Sequence, residues 1–276
     1  MTNEKTLHPS HAVAATPHVH RECDARGVVT LTLNRPASFN ALSVGMLTAL
    51  QGELDRVAVD GSARVVVIAA EGKAFSAGHD LKEMRAEPSQ GYYEALFAQC
   101  ARLMLSLQRL PVPVIAKVHA LATAAGCQLV AACDLAVAAR NARFAVSGVN
   151  LGLFCSSPSV ALSRNLLRKP AFEMLVTGEF VSADEARALG LVNRVAEPDA
   201  LDAAVESLVA AIVAKPRVAI ALGKRLFYRQ LEQDVESAYA DAGLTMACNM
   251  MDEAALEGVQ AFIDKRPPRW APPGAA

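Results

Sequence analysis

The 276-residue sequence predicts an α/β fold: one large core of alternating strands and helices, followed by a helical extension. Three observations point there. Residues 63–72, "ARVVVIAAEG", form a continuous β-branched run of the kind a strand buried on both faces needs. Twice a strand-like segment runs into a turn of small residues that opens a helix or loop, in "VVVIAAEGKAFSAGHDL" and "VPVIAKVHALATAAGCQL". From about Asp199 onward the apolar spacing is helical almost throughout.

The elements follow in order. Residues 1–20 read as a flexible leader carrying four of the six histidines, His8, His11, His18 and His20. "VVTLTLNRP" (28–36) alternates as a strand and stops at Pro36. Residues 43–60 have helical periodicity behind Ser43, a fitting N-cap. A glycine-containing loop is expected over 73–84, then a long helix over 91–110 closed by Pro111 and Pro113. Residues 112–121 read as a strand, 125–134 as a helix and 135–146 as two short strands. Residues 156–167 read as a helix start capped by Ser156 and Ser157. Helix, turn, capped helix and strand are expected across 171–197, with Ser182 and Glu185 in a capping box. The prolines of "DKRPPRWAPPGAA" end the last helix. The boundaries expected are 1–20 for the leader, 21–198 for the core and 199–276 for the helical region.

Composition narrows the function. A formal net charge of -1 offers no electrostatic basis for binding nucleic acid or an anionic membrane surface. The longest apolar runs are cut by Asp134 and fall short of the roughly 20 residues a membrane span requires. The first 20 residues have neither a secretory apolar stretch nor an Arg-rich amphipathic pattern, so a cytoplasmic protein is expected. The six cysteines lack C-x-x-C spacing and read as small buried hydrophobes; no metal site is expected.

The two small-residue turns suit close approach of backbone N–H groups to a ligand, and the helix after Ala125 adds its N-terminal partial charge. Two such donors aimed at one point make an oxyanion hole. A tight strand–helix connection needs the same small residues, so both readings stand on spacing alone. A dinucleotide site does not, because neither turn has G-x-G-x-x-G.

Ordered motifs between about Val28 and Arg266 resemble the crotonase, or enoyl-CoA hydratase/isomerase, superfamily. They are "LNRP…NAL", "KAFSAGHDLKEM", "PVIAKVHALATAAGCQLVAACDLAVAARNARF", "MLVTGEFVSADEARALGLVNRV" and "EGVQAFIDKR". "SGHDLKE"-like, "AAAGCQLVA"-like and "GLFCS" segments are similar to the enoyl-CoA hydratase domain-containing subgroup. The resemblance implies a crotonase-type spiral of ββα units, a C-terminal helical trimerisation region, and a homotrimer or dimer of trimers. It implies an acyl-CoA substrate, coenzyme A being part of that substrate and no separate cofactor being used. The thioester oxygen would be held by the backbone N–H groups of His79 and Ala125, the second position being often glycine in the family. Lys73, Ala77, Gly78, Asp80 and Leu81 would line the CoA and pantetheine path, and Phe262 and Lys265 would approach CoA from the C-terminal region.

The chain departs from the family where proton transfer is done. Two glutamates normally hold and activate a water, because carboxylates can take and give protons near neutral pH. The first position holds Gln128 and the second falls on Gly148, or on Ser147 or Val149 with a one-residue slip. Classical hydration is therefore not expected. Gln128→Glu combined with Gly148→Glu would restore it if the scaffold is otherwise intact.

His79 brings an imidazole to the loop, which keeps decarboxylation open, and Cys155 with the two serines follows the second position. Glu83 and Glu94 are expected at the surface, and Asp134 as a structural pair or cap. Three readings remain: a crotonase-type lyase or isomerase with altered acid/base groups, a decarboxylase or thioesterase on the same oxyanion hole, and a non-catalytic acyl-CoA-binding oligomer.

Overall fold

The computed structural model describes residues 16–270. His8, His11 and most of the leader lie outside them, but His20 lies inside the first strand. That strand, β1 (Val19–Cys23), runs antiparallel to β2 (Val28–Leu33). Helix α1 (Val44–Val59) starts at Ser43, whose hydroxyl accepts the Met46 N–H at 3.1 Å. Strand β3 (Val65–Ala70) leads through a turn into β4 (Ala74–Ser76), followed by α2 (Leu81–Ala86) and α3 (Gln90–Arg109).

The next turn of the chain repeats the plan with β5 (Val114–Val118), β6 (Leu121–Thr123) and α4 (Ala125–Ala132). A third turn gives β7 (Leu135–Ala139), β8 (Arg143–Ala145), a 3₁₀ turn at Ser147–Leu151, α5 (Ser156–Asn165) and α6 (Arg168–Thr177). Then come β9 (Val181–Ser182), α7 (Ala183–Ala188) and β10 (Arg194–Ala196). Helices α8 (Leu201–Val213), α9 (Arg217–Gln230), α10 (Val235–Met250) and α11 (Glu253–Ile263) complete the fold. None of the described helices is long and apolar enough to cross a membrane.

The strands sort into two sheets, β1-β2-β3-β5-β7-β10 and β4-β6-β8-β9. Each turn of the chain places one strand in each sheet and then a helix, which is the ββα spiral. All pairings are parallel except β1 with β2 and β8 with β9. The β-branched run of β3 has the expected cause: Val66 and Ile68 enter the main core, while Val65 and Val67 pack with Leu201, Val205 and Val209 of α8.

The loop expected over 73–84 contains β4, because Phe75 is fully buried and the strand pairs with β6. The single strand expected over 112–121 is two, since the chain passes from one sheet to the other; His119 Nε2 sits 2.8 Å from the Gly72 carbonyl oxygen at the crossing. The capping box of Ser182 and Glu185 is present. The serine caps of the helix after 155 are not: Cys155 takes the cap position, and Ser156 is the first helical residue, without a capping bond.

Asp134 forms the main tie between the core and the C-terminal helices. Its carboxylate accepts from Lys224 Nζ at 2.6 Å, from the Tyr228 hydroxyl at 2.7 Å and from the Val114 N–H at 2.6 Å. Lys224 is buried and spends its other protons on the carbonyls of Leu107 and Val112.

Candidate functional site

The two small-residue turns leave neighbouring strands, β4 and β6, and meet. Gly78 has φ +86°, and a Cβ there would lie 2.9 Å from the Ala124 Cβ and 3.1 Å from the Ala125 nitrogen. Only glycine permits that approach. The contact is braced by the Thr123 hydroxyl, which donates to the Ala77 carbonyl at 3.1 Å. Gly126 docks on the other side: a Cβ there would sit 2.3 Å from the Ser76 carbonyl oxygen, so α4 rests directly on the β4 backbone.

Ala124 precedes α4 with φ 49° and ψ -120°, a strained conformation for a residue with a Cβ. Such strain costs on the order of 1–3 kcal/mol and persists where the surroundings over-determine it. Here the Ala124 N–H is fixed to the Ala145 carbonyl at 2.9 Å. The turn delivers Ala125 as the first residue of α4, and its methyl is accommodated in the main core at 1% exposure. Among the described residues, neither the Ala125 N–H nor the His79 N–H has a hydrogen-bond acceptor.

His79 is half-buried. Its Nδ1 lies 3.2 Å from the Leu42 carbonyl oxygen, and its ring meets Phe97 edge-on at 5.5 Å. Burial holds the imidazole below its ordinary value, so the ring is neutral near pH 7. Its side chain is thus anchored, and what the loop offers freely is its backbone.

Asn40 and Ser76 support this loop, and sequence reasoning passed over both. Asn40 is fully buried with φ 52° and donates to the carbonyls of Glu71 and Ala74, while Ser76 donates to the Asn40 carbonyl at 2.9 Å. The asparagine within "LNRP…NAL" was the available signal, since asparagine tolerates the left-handed region.

The remaining site candidates divide. Ala77 and Gly78 belong to the contact just described. Asp80 caps α2 through the N–H groups of Lys82 and Glu83 and pairs with Arg35 at 3.5 Å. Lys73 and Leu81 are exposed beside the loop. Phe262 is 86% exposed and Lys265 is exposed at the end of α11; no described hydrogen bond or ion pair ties either to the residues around His79. Glu94 is exposed, bonded to Gln90. Glu83 instead turns inward and accepts the Val44 N–H at 3.1 Å, capping α1.

Gln128 lies one turn along α4 from Ala125, on the same side of the helix. It is 4% exposed, and its amide oxygen is sealed without a partner. Gly148 is buried in the 3₁₀ turn. A Cβ there would meet the Leu153 carbonyl oxygen at 2.5 Å and Cys155 Sγ at 2.8 Å. The expectation that Gly148→Glu could simply restore a second carboxylate is therefore corrected: the space is filled by the backbone of the following loop. Cys155 Sγ accepts the Gly148 N–H at 3.3 Å, and burial pushes its thiol up, away from the thiolate a nucleophile needs.

A cavity of about 560 Å³ lies elsewhere, under α8, where Arg26 pairs with Glu206 and Lys117 with Asp202. Among the described residues no group of three or more His, Cys, Asp or Glu could hold a metal ion.

Residues 24–273 match the enoyl-CoA hydratase/isomerase family. Among curated relatives, the Xenopus laevis enoyl-CoA hydratase domain-containing protein 3, mitochondrial, is 46% identical over 88% of this chain and 83% of its own length. A crystal structure of an enoyl-CoA hydratase from Mycobacterium smegmatis is 69% identical with a TM-score of 0.92, covering 92% of this chain and 99% of that one. The human enoyl-CoA hydratase domain-containing protein 3 structure is 42% identical with a TM-score of 0.89, covering 92% and 100%. The frog, mouse and human proteins are all named mitochondrial. The names of these relatives overturn the cytoplasmic location expected from the lack of an Arg-rich leader. The fold, the ordered motifs and these likenesses agree: the chain belongs to the enoyl-CoA hydratase/isomerase family, in the enoyl-CoA hydratase domain-containing subgroup.

Proposed function

We propose that this chain binds an acyl-CoA thioester and polarises its carbonyl with the N–H groups of His79 and Ala125, without a carboxylate pair for hydration. The observation that carries this reading is the packing of Gly78 on Ala124 and Ala125, which leaves two backbone N–H groups on adjoining turns without an acceptor among the described residues. The N-terminal end of α4 reinforces one of them. Each preorganised donor of this kind is worth about 2.7–4 kcal/mol when negative charge develops on the oxygen.

The chemistry beyond binding is limited by what flanks those donors. An amide at 128 orients groups by hydrogen bonding but transfers no proton near neutral pH. Position 148 has no side chain and no room for one. Reactions that need only enolate or tetrahedral stabilisation, decarboxylation of a malonyl-type thioester or thioester hydrolysis, fit this set; two-carboxylate hydration does not. Coenzyme A enters as part of the substrate.

Self-association belongs to the same proposal. Phe227 of α9, Leu231 at its C-terminal end, Tyr239, Leu244 and Met246 of α10 and Phe262 of α11 are all more than half exposed. Apolar surface on this scale in one chain marks a contact face, and a trimer or dimer of trimers would cover it. Sedimentation of the purified protein is expected to show a trimer or hexamer, and a monomer at micromolar concentration would refute this part.

The central test offers crotonyl-CoA, malonyl-CoA and butyryl-CoA to the purified protein, with calorimetric binding and turnover measured separately. Saturable binding without crotonyl-CoA hydration is expected. Failure to bind any of the three would refute the oxyanion-hole assignment. Robust hydration that Gln128→Ala abolishes would refute the claim that the missing carboxylates matter.

A further inference from the structure

Helix α8 is too narrow to cover the sheet face on which it lies. Six strands about 4.8 Å apart span roughly 24 Å, whereas a helix with its side chains is about 10–12 Å wide. Helix α8 packs against β3, β5, β7 and β10, where Val205 and Val209 share one apolar cluster with Val67 and Ile115. Beside it, over β2 and the edge strand β1, lies the cavity of about 560 Å³. Small-molecule sites have volumes of roughly 300–1,000 Å³.

The cavity is apolar at its floor and charged at its walls. Val28, Val67, Val205 and Val209 form the floor. Lys117 breaks this pattern as the one charged residue of β5, "VIAKV", on the same face as the buried Ile115. Its ammonium has one described partner, Asp202 in the first turn of α8 at 2.5 Å, and the Asp202 side chain is 83% exposed. Arg26 is committed on two sides, to Asp24 and to Glu206, which stands one turn along α8 from Asp202. So exposed a pair as Lys117 with Asp202 is worth little, and exchanging its partners for those of a ligand costs little.

The charges select the ligand. A carboxylate alone would take Lys117 and leave Asp202 unpaired in a cavity that also holds Glu22, Asp24 and Glu206. An ammonium alone would take Asp202 and leave Lys117 unpaired above the valines. A zwitterion satisfies both. Because the Lys117 and Asp202 charges are adjacent, the two charges of the ligand must be adjacent too, as they are on the α-carbon of an amino acid.

We propose that this cavity binds a free α-amino acid with an apolar side chain, its carboxylate on Lys117, its ammonium on Asp202 and its side chain on the valine floor. None of the residues that carry the proposal belongs to the turns around Gly78, so it does not depend on the acyl-CoA reading.

Calorimetry on the full chain compares L-leucine with 4-methylpentanoate and isoamylamine, which keep its apolar body and lack its ammonium or its carboxylate. Leucine is expected to bind saturably at millimolar concentration and about tenfold more tightly than either analogue. In Lys117→Met the preference for leucine over isoamylamine falls to about one, and in Asp202→Asn so does the preference over 4-methylpentanoate. Both variants are expected to melt within a few degrees of wild type, since the pair they break is exposed. Absence of saturable leucine binding, an analogue that binds as tightly as leucine, or a preference that survives in either variant overturns the inference.

Discussion

Adding a single methyl at position 148 tests how firmly the site is closed to a second carboxylate. In Gly148→Ala the new Cβ would lie 2.5 Å from the Leu153 carbonyl oxygen and 2.8 Å from Cys155 Sγ, well inside the 3.4 Å at which ordinary contact begins. The loop cannot simply swing away. Leu153 N–H donates to the Gly148 carbonyl at 3.0 Å, and Gly148 N–H donates to Cys155 Sγ at 3.3 Å. Overpacking of this kind costs about 1–3 kcal/mol, and loosening those two bonds adds about 0.5–1.5 kcal/mol each. A loss of about 2–6 kcal/mol should lower the melting temperature by roughly 4–24 °C. Gly52→Ala is the control: it is an exposed helical position with open space around it, and should be neutral or stabilising by about 0.5–1 kcal/mol. Gln128→Glu with Gly148→Glu should carry the same destabilisation and gain no crotonyl-CoA hydration. Thermal unfolding and a hydration assay on the same samples decide it. An unchanged melting temperature in Gly148→Ala, or hydration by the double variant, would refute the argument.

Three further outcomes are expected. Lys224→Met leaves the half-buried Asp134 without its ammonium partner and should cost about 3 kcal/mol in denaturant unfolding; adding Asp134→Asn should recover part of it, and a loss below about 1 kcal/mol would refute the ion-pair assignment. Gly78→Ala forces a Cβ against Ala124 and the Ala125 nitrogen, so acyl-CoA affinity should fall at least about tenfold, by calorimetry, as the two turns part. Because burial holds His79 below its ordinary 6.5, the folded state binds fewer protons than the unfolded chain in that range. Its contribution is therefore complete above pH 6.5 and is lost as pH falls through the lower folded value. The stability difference between wild type and His79→Gln should shrink between pH 7.5 and pH 5, and a difference that stays constant would contradict this.

Many local features were legible in the amino-acid sequence, though not the cap of the helix after Cys155. The β-branched run of β3, the Ser43 cap, the Ser182–Glu185 capping box and the helical spacing after Asp199 each express the needs of a few adjacent residues. Short strands were harder. β4 and β6 are three residues each, too brief for periodicity, and exist because they pair with each other across the chain. The fold class and family were legible because ordered motifs persist over most of the length, and the sequence itself shows Gln128 and Gly148 at the two positions the family resemblance singles out.

What the sequence could not supply is the answer to what fills the space those residues leave. Lys224 reaches Asp134 across 90 positions, and Glu83 caps a helix that begins 39 positions earlier. Cys155 and the Leu153 carbonyl occupy the room a side chain at 148 would need, while the amide oxygen of Gln128 is sealed without a partner among the described residues. Such facts depend on the packing of segments distant in the chain, where close packing leaves each atom's neighbours to be set by the whole fold. The sequence named the residues at the two positions; only the tertiary structure decided that one is closed to a side chain and that the other holds a sealed amide oxygen without a partner among the described residues.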